Sequence, residues 1–264
     1  MAVTGVAVAG HFGEWLQGRL GADGPLALVT VACPALQVRT GPGPASVPLF
    51  DAAQLARFAA DLGLRDPAWP TLQYDMPFGC GAGASTATLV ALARWASFSG
   101  TDAELARACV RVEGATDPLM LPAPDSVLWA PREGRSLQAL PPPPGAVIVG
   151  GYWGAPQRTD PADTAFDDIA DLIPDWDAAC RDGDLARAAA LAATSARRCT
   201  ASRGPQDPMP ELARDLGALG HLRAHTGSAR GLIFAPGDVP EHAATALTEA
   251  GLTGVLHFPT GGSA

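Results

Sequence analysis

The sequence has no lysine and no asparagine, so its 18 basic side chains are all arginine. The missing lysine excludes whole classes of chemistry. A Walker-type P-loop needs a lysine on the phosphates, and a protein-kinase domain pairs a strand lysine with a helix glutamate. Pyridoxal-phosphate and aldolase catalysis build a Schiff base on lysine. If this chain handles phosphate, it must do so with backbone amides, helix dipoles, arginine and a metal ion. It also has no run of basic residues, and its net charge is −9. That argues against a nucleic-acid or anionic-membrane surface. No apolar stretch reaches 18 residues, and the first residues lack the basic region and long apolar core of a signal peptide. The five cysteines are scattered and never form a CxxC, which fits a reduced compartment. A soluble, cytoplasmic protein is expected.

The chain is long enough for one large domain or two small ones, and 47% of its residues are apolar. Residues 3–8 form a short apolar run leading to a polar turn at 11–14. Segments 26–31, 35–39, 71–76 and 127–129 read as strands. Asp51 can cap a helix whose apolar face holds Leu55, Phe58 and Leu62, stopped by Gly63. A helix running to about Phe98 is expected after the glycine cluster at 79–83, and Thr101 with Glu104 forms a capping box for the next one. The four prolines at 141–144 form a stiff linker. Beyond it come a strand at 146–149, helices near 163–173, 184–198 and 210–222, strand 231–234, helix 240–250 and strand 255–258. This pattern predicts two α+β domains, 1–143 and 144–264.

Four loops can carry chemistry. In the first, Gly79, Gly81 and Gly83 lead through Ala84 into Ser85 and Thr86 at a helix start, where close backbone approach and free N–H groups suit an anion. An ordinary glycine turn with a serine cap is the alternative. A dinucleotide-binding fingerprint is excluded, because a second helix follows where that motif requires a strand. In the second loop, Glu113 and Asp117 could share one side of a pocket, as phosphoryl transfer requires of a metal ligand and a base; solvated helix-end charges are the alternative. His225, Thr226, Gly227 and Ser228 precede an apolar strand and form either a substrate loop or a plain turn. In the N-terminal segment, Glu14 and Gln17 could face one pocket if it turns helically, whereas His11 reads as a structural histidine.

Taken in order, these loops resemble the GHMP kinase superfamily. Its central Pro-x-x-x-Gly-Leu-Gly-Ser-Ser-Ala motif is similar to the segment from Pro77 to Ala87, with departures at Ala82 and Ala84. Within it, the L-threonine kinases of cobalamin biosynthesis and propanediol utilisation look most alike. Their Gly-Glu-Leu-x-Gln-Gly resembles Gly13 to Gly18, their Glu-Pro-Thr-Asp resembles Glu113 to Asp117 with one residue inserted, and their His-Ser-Gly motif resembles the stretch from His225 to Leu232. Gly150 and Gly151, with Asp163 and Thr164, are similar to a further pair in that family.

The resemblance implies a domain like ribosomal protein S5 domain 2 followed by a ferredoxin-like domain. It further implies ATP and Mg²⁺ as cofactors, and L-threonine or another small alcohol as acceptor. Pro77, Gly79, Gly81, Gly83, Ala84, Ser85 and Thr86 would hold ATP. Ser85 and Glu113 would bind the metal, and Asp117 would act as base. Glu14, Gln17 and the stretch from His225 to Ser228 would shape the acceptor site. The inserted residue leaves open which carboxylate takes which role. Arg158 and Arg230 are the candidate cations at the transferred phosphate. A homodimer is compatible with this reading. Homoserine or an isoprenoid precursor as acceptor, or a catalytically silent metabolite-binding protein, are the alternatives.

Overall fold

The computed structural model describes residues 5–41, 49–157, 160 and 162–262. Elements follow in the order β1 (Ala7–Arg19), β2 (Leu26–Thr40), α1 (Ala52–Asp61), β3 (Leu72–Tyr74), α2 (Ala84–Trp95), α3 (Asp102–Glu113), β4 (Val127–Ala130), β5 (Arg135–Ala139) and β6 (Ala146–Tyr152). After these come α4 (Ile173–Asp182), α5 (Leu185–Arg203), α6 (Met209–Asp215), β7 (Gly220–Arg223), β8 (Ala229–Phe234), α7 (Ala243–Glu249) and β9 (Thr253–Thr260). The expected caps are present: Asp51 and Gln54 close a capping box on α1, and Thr101 and Glu104 close another on α3. Each contributes about 1 kcal/mol by satisfying orphan N–H groups.

One sheet runs through the chain in the order β5-β4-β2-β1-β7-β8-β6-β9, with β3 paired to β2. Strands from residues before 143 occupy one end and later strands the other, joined where β1 meets β7 at Glu14 and Arg223. Helix α2 packs on β1 and β2 and is buried almost all round, from Ala87 through Ala93. Its sequence therefore shows no polar stripe. Helix α5 packs on β1 and β7, and Ser195 on α5 accepts the Gln17 backbone N–H at 2.9 Å. No helix among the described residues is long and apolar enough to cross a membrane.

The structure corrects several local expectations. Residues 11–14 are not a turn but lie inside β1, and segments 26–31 and 35–39 form one continuous strand. The stretch 163–173 is not helical. The carboxylates of Asp163 and Asp168 capture the N–H groups two residues on, at 2.9 and 2.8 Å, and such turns compete with helix formation. The helix expected over 210–222 stops at Asp215. Gly217 then takes a left-handed φ of 67°, and the chain enters β7.

Candidate active site

Strand β1 supplies three side chains to one cavity because it is bulged. His11, Glu14 and Gln17 are each three residues apart, a spacing that would alternate faces on a regular strand. Register shifts between His11 and Glu14 and between Glu14 and Leu16 insert one extra β1 residue each time, so their partners on β2 are Ala32, Thr30 and Leu28, two residues apart. All three therefore face one way, and all three line a cavity of about 380 Å³. The intervening Phe12 and Trp15 are fully buried, Phe12 against Tyr152 and Phe258 and Trp15 against Trp176. Emptying either site would cost about 3–5 kcal/mol. The helical turn expected here is replaced by these bulges, yet Glu14 and Gln17 do share a pocket.

The glycine loop forms the adjoining wall. Gly79, Gly81 and Gly83 have φ of 72°, 75° and 73°, in the left-handed region that other residues enter at a cost. A Cβ on Gly81 would stand 2.3 Å from the Ala224 Cβ, and one on Gly83 would stand 2.5 Å from the His11 ring. The loop is locked from both sides. His11 and Gly13 donate backbone bonds to the carbonyls of Ala82 and Gly81 at 3.2 and 3.1 Å, and Ala229 donates to Cys80 at 2.9 Å. Gly83 caps α2 without any side-chain bond, leaving the first N–H groups of a 12-residue helix for an anion. Pro77, Gly79, Gly81, Gly83, Ala84, Ser85 and Thr86 all line the cavity.

Glu113, the last residue of α3, reaches the start of α2. Ser85 Oγ donates to one of its oxygens, and Thr86 Oγ1 donates to the other at 2.9 Å. Thr86 Oγ1 also meets Thr116 Oγ1 and accepts the Asp117 N–H, both at 3.1 Å. Burial pushes the Glu113 carboxyl up to about 8; Asp117 adds to the rise, while the Ser85 and Thr86 bonds oppose it. Glu113 is a buried acid held by hydroxyls, without a basic side chain bonded to it among the described residues. Hard oxygen donors of this kind suit Mg²⁺, which takes one or two carboxylates plus phosphate and water oxygens. No group of three or more His, Cys, Asp or Glu that could hold a metal ion occurs among the described residues; a metal beside Glu113 would have to take further oxygens from a bound phosphate and water.

Asp117 sits beside this cluster, with its Oδ2 3.1 Å from His11 Nε2. His11 is buried, and its Nδ1 lies 3.3 Å from the Gly13 carbonyl and 3.9 Å from Glu14. Burial opposes charge on this ring, but Asp117, then Glu14 and the Gly13 carbonyl, outweigh it and raise His11 to about 9. Burial raises Glu14 to about 7, against the pull of His11, while one of its oxygens accepts the His225 N–H at 2.8 Å.

His225, Thr226 and Gly227 line the cavity. Ser228 is not among the lining residues; it is buried behind them, its carbonyl accepting the Trp153 N–H at 2.7 Å. The His225 ring stacks on Phe166 at 4.0 Å and 3°. Burial, with Arg203 nearby, lowers it to about 3, so it stays neutral.

Arg230 is not available as a cation at the site. It is buried and paired with buried Asp207 at 2.7 Å. Arg158 lies outside the described residues. Among those described, the arginine lining the cavity is Arg132, which sequence reasoning did not single out. It stacks over Phe166 at 5.5 Å and donates to the carbonyls of Asp160 and Asp163. Nothing local marks it, because its partners come from a loop about 30 residues away.

No family model matches this sequence, and none of the curated proteins does. Solved structures do match over nearly the whole chain. A mevalonate kinase from methicillin-resistant Staphylococcus aureus MRSA252 superposes with a TM-score of 0.63 at 16% identity, covering 96% of this chain and 98% of that one. A homoserine kinase from Cytophaga hutchinsonii ATCC 33406 gives 0.62 at 14% identity, covering 98% and 96%. A mevalonate diphosphate decarboxylase from Staphylococcus aureus gives 0.53 at 10%, covering 97% and 96%, so one fold hosts more than one reaction. Mixed α+β in class and built on one large antiparallel sheet, this chain has the GHMP kinase fold.

Proposed function

We propose that this protein is an ATP-dependent kinase of a small alcohol, with L-threonine as acceptor and O-phospho-L-threonine as product, acting in cobalamin biosynthesis in the cytoplasm. The observation that carries the kinase reading is the meeting of two parts in one cavity. A left-handed glycine loop feeds an uncapped helix N-terminus, and Ser85 and Thr86 at that helix start are bonded to buried Glu113. The choice of threonine rests on the motif resemblance, and the kinases among the structural neighbours are compatible with it. We take 1–143 and 144–264 as the two domains, in keeping with how their strands segregate in the sheet.

On this reading the amides of 79–86 cradle the triphosphate. Ser85 and Glu113 would hold Mg²⁺, which would supply charge neutralisation at the phosphates. Asp117 accepts the proton of the acceptor hydroxyl as the oxygen–phosphorus bond forms and the bond to the ADP oxygen breaks. His11 fixes that carboxylate in place, and Arg132 provides positive charge at the cavity.

Purified protein with Mg-ATP and a panel of hydroxylated amino acids and alcohols tests the reading. ADP release stimulated by L-threonine is expected. Stimulation by a different alcohol would move the acceptor, and ATP binding without any stimulated release would favour a silent binding protein.

A further inference from the structure

Ser85 and Thr86 are neighbours at the start of α2 and both bond Glu113, but their hydroxyls are not equally free. Ser85 is half-buried and lines the cavity. Its Oγ donates to one Glu113 oxygen and has no other hydrogen-bond partner among the described residues, so its lone pairs are unused. Thr86 is 1% exposed, and its Oγ1 is surrounded. It donates to the other Glu113 oxygen at 2.9 Å and accepts the Asp117 N–H at 3.1 Å. Thr116 Oγ1 also stands at 3.1 Å. A hydroxyl has one proton and two lone pairs. With the proton on Glu113 and one lone pair on Asp117, the Thr116 hydroxyl takes the other. Thr86 Oγ1 is saturated, with nothing left for a metal ion or a phosphate.

Glu113 and Asp117 are close in sequence but belong to different pieces of structure. Glu113 ends α3, whereas Asp117 lies in the loop that follows the left-handed Gly114. That loop is pinned just before Asp117. The Thr116 N–H donates to the Pro131 carbonyl at 2.8 Å, and Trp129 Nε1 donates to the Thr116 carbonyl at 2.6 Å. At Asp117 itself, Thr86 Oγ1 holds the backbone and His11 holds the carboxylate. One buried oxygen thus ties the Glu113 carboxylate to the Asp117 backbone.

We propose that Thr86 is a positioning residue: its hydroxyl sets Asp117 in place relative to Glu113 and takes no ligand itself. The proposal rests on the kinase reading for the role of Asp117, but the tie can be measured without turnover. A base must stand within hydrogen-bond reach of the proton it takes, so slack in its backbone lowers turnover. The Thr86 backbone N–H, at the uncapped helix start, is untouched by substitution of the side chain.

The experiment compares Thr86→Val, which loses the hydroxyl, with Thr86→Ser, which keeps it, in the full chain. Steady-state kinetics with Mg-ATP and the stimulating alcohol are run beside titration with Mg²⁺ and a non-hydrolysable ATP analogue. Thr86→Val should lower kcat about 10- to 100-fold, the scale of a misplaced catalytic group. Affinity for the analogue should stay within about threefold, and Thr86→Ser should recover most of the lost rate. An unchanged kcat would overturn the proposal. So would parallel losses of kcat and analogue affinity, which would make the hydroxyl a ligand contact.

Hydrogen exchange read residue by residue supplies the measurement without turnover. The Asp117 amide should be protected in the wild type and exposed in Thr86→Val, while the His11 and Ala229 amides that hold the glycine loop keep their protection. Fast exchange of Asp117 in the wild type would overturn the proposal even if no variant folds. A wild type that releases no ADP with any alcohol would remove the kinase reading, and the exchange result would still decide the tie.

Discussion

His11 and Asp117 meet side chain to side chain at 3.1 Å, although 106 residues separate them. The other ring nitrogen faces the Gly13 carbonyl and the Glu14 carboxylate. Both nitrogens thus look at acceptors, an arrangement that a doubly protonated ring satisfies at both ends. In a chain without lysine, such a ring would give the site a cation. A folded value of about 9 against an ordinary 6.5 means that its stabilisation is fully present below pH 6.5 and is lost as pH rises through 9. Urea unfolding at pH 6.5 and 9.5 should show that loss in the wild type, at most about 3 kcal/mol, and a smaller loss in His11→Gln. Identical pH dependence in the two proteins would show the ring to be neutral.

Asp117→Asn should lower turnover by about two orders of magnitude or more, the usual scale for removing a general base. ATP binding should stay within about threefold, because the glycine loop is untouched. Steady-state kinetics beside nucleotide titration separates the two effects, and an unchanged rate would strip Asp117 of the role.

Gly81→Ala forces a side chain into a left-handed backbone and into the Ala224 methyl. A destabilisation of about 1–3 kcal/mol is expected, together with loss of nucleotide binding. Gly63→Ala also meets a positive φ but open space, so it should carry strain alone and leave nucleotide affinity intact. Thermal unfolding with and without ATP reads both.

The two arginines should behave oppositely. Arg230→Met strands buried Asp207 and should cost about 3–5 kcal/mol of stability. Arg132→Ala, at a partly exposed position on the cavity, should change unfolding by less than about 1 kcal/mol while lowering kcat/KM. Equal stability losses would mean that Arg132 is structural too.

Much of the site was legible because its signals are local. Glycines at 79, 81 and 83, and a Thr/Glu capping pair, announce their geometry within a few residues. What escaped depends on distant partners. The β1 sequence alternates badly because its bulges shift the phase, so its central residues look like a turn. The exposed β5 is polar and short, and β7, Gly-His-Leu-Arg, has no apolar or alternating signature and follows directly on a stretch that suits a helix. The 163–173 stretch has helical spacing, but its aspartates bond their own backbone. Arg230 looked like a site residue until Asp207, 23 positions away, claimed it.

The phase shifts in β1 also set a limit on how this sequence can change. A substitution at Phe12 or Trp15 acts on the core, whereas one at Gln17 acts on the cavity wall and on the buried bond to the Arg223 carbonyl. Deleting a single residue between His11 and Leu16 would remove one of the two inserted positions and restore one-to-one pairing there, with His11, Glu14 and Gln17 still on one face but one core or turn residue fewer. The two added residues are what let a single strand bury Phe12 and Trp15 without giving up its cavity face.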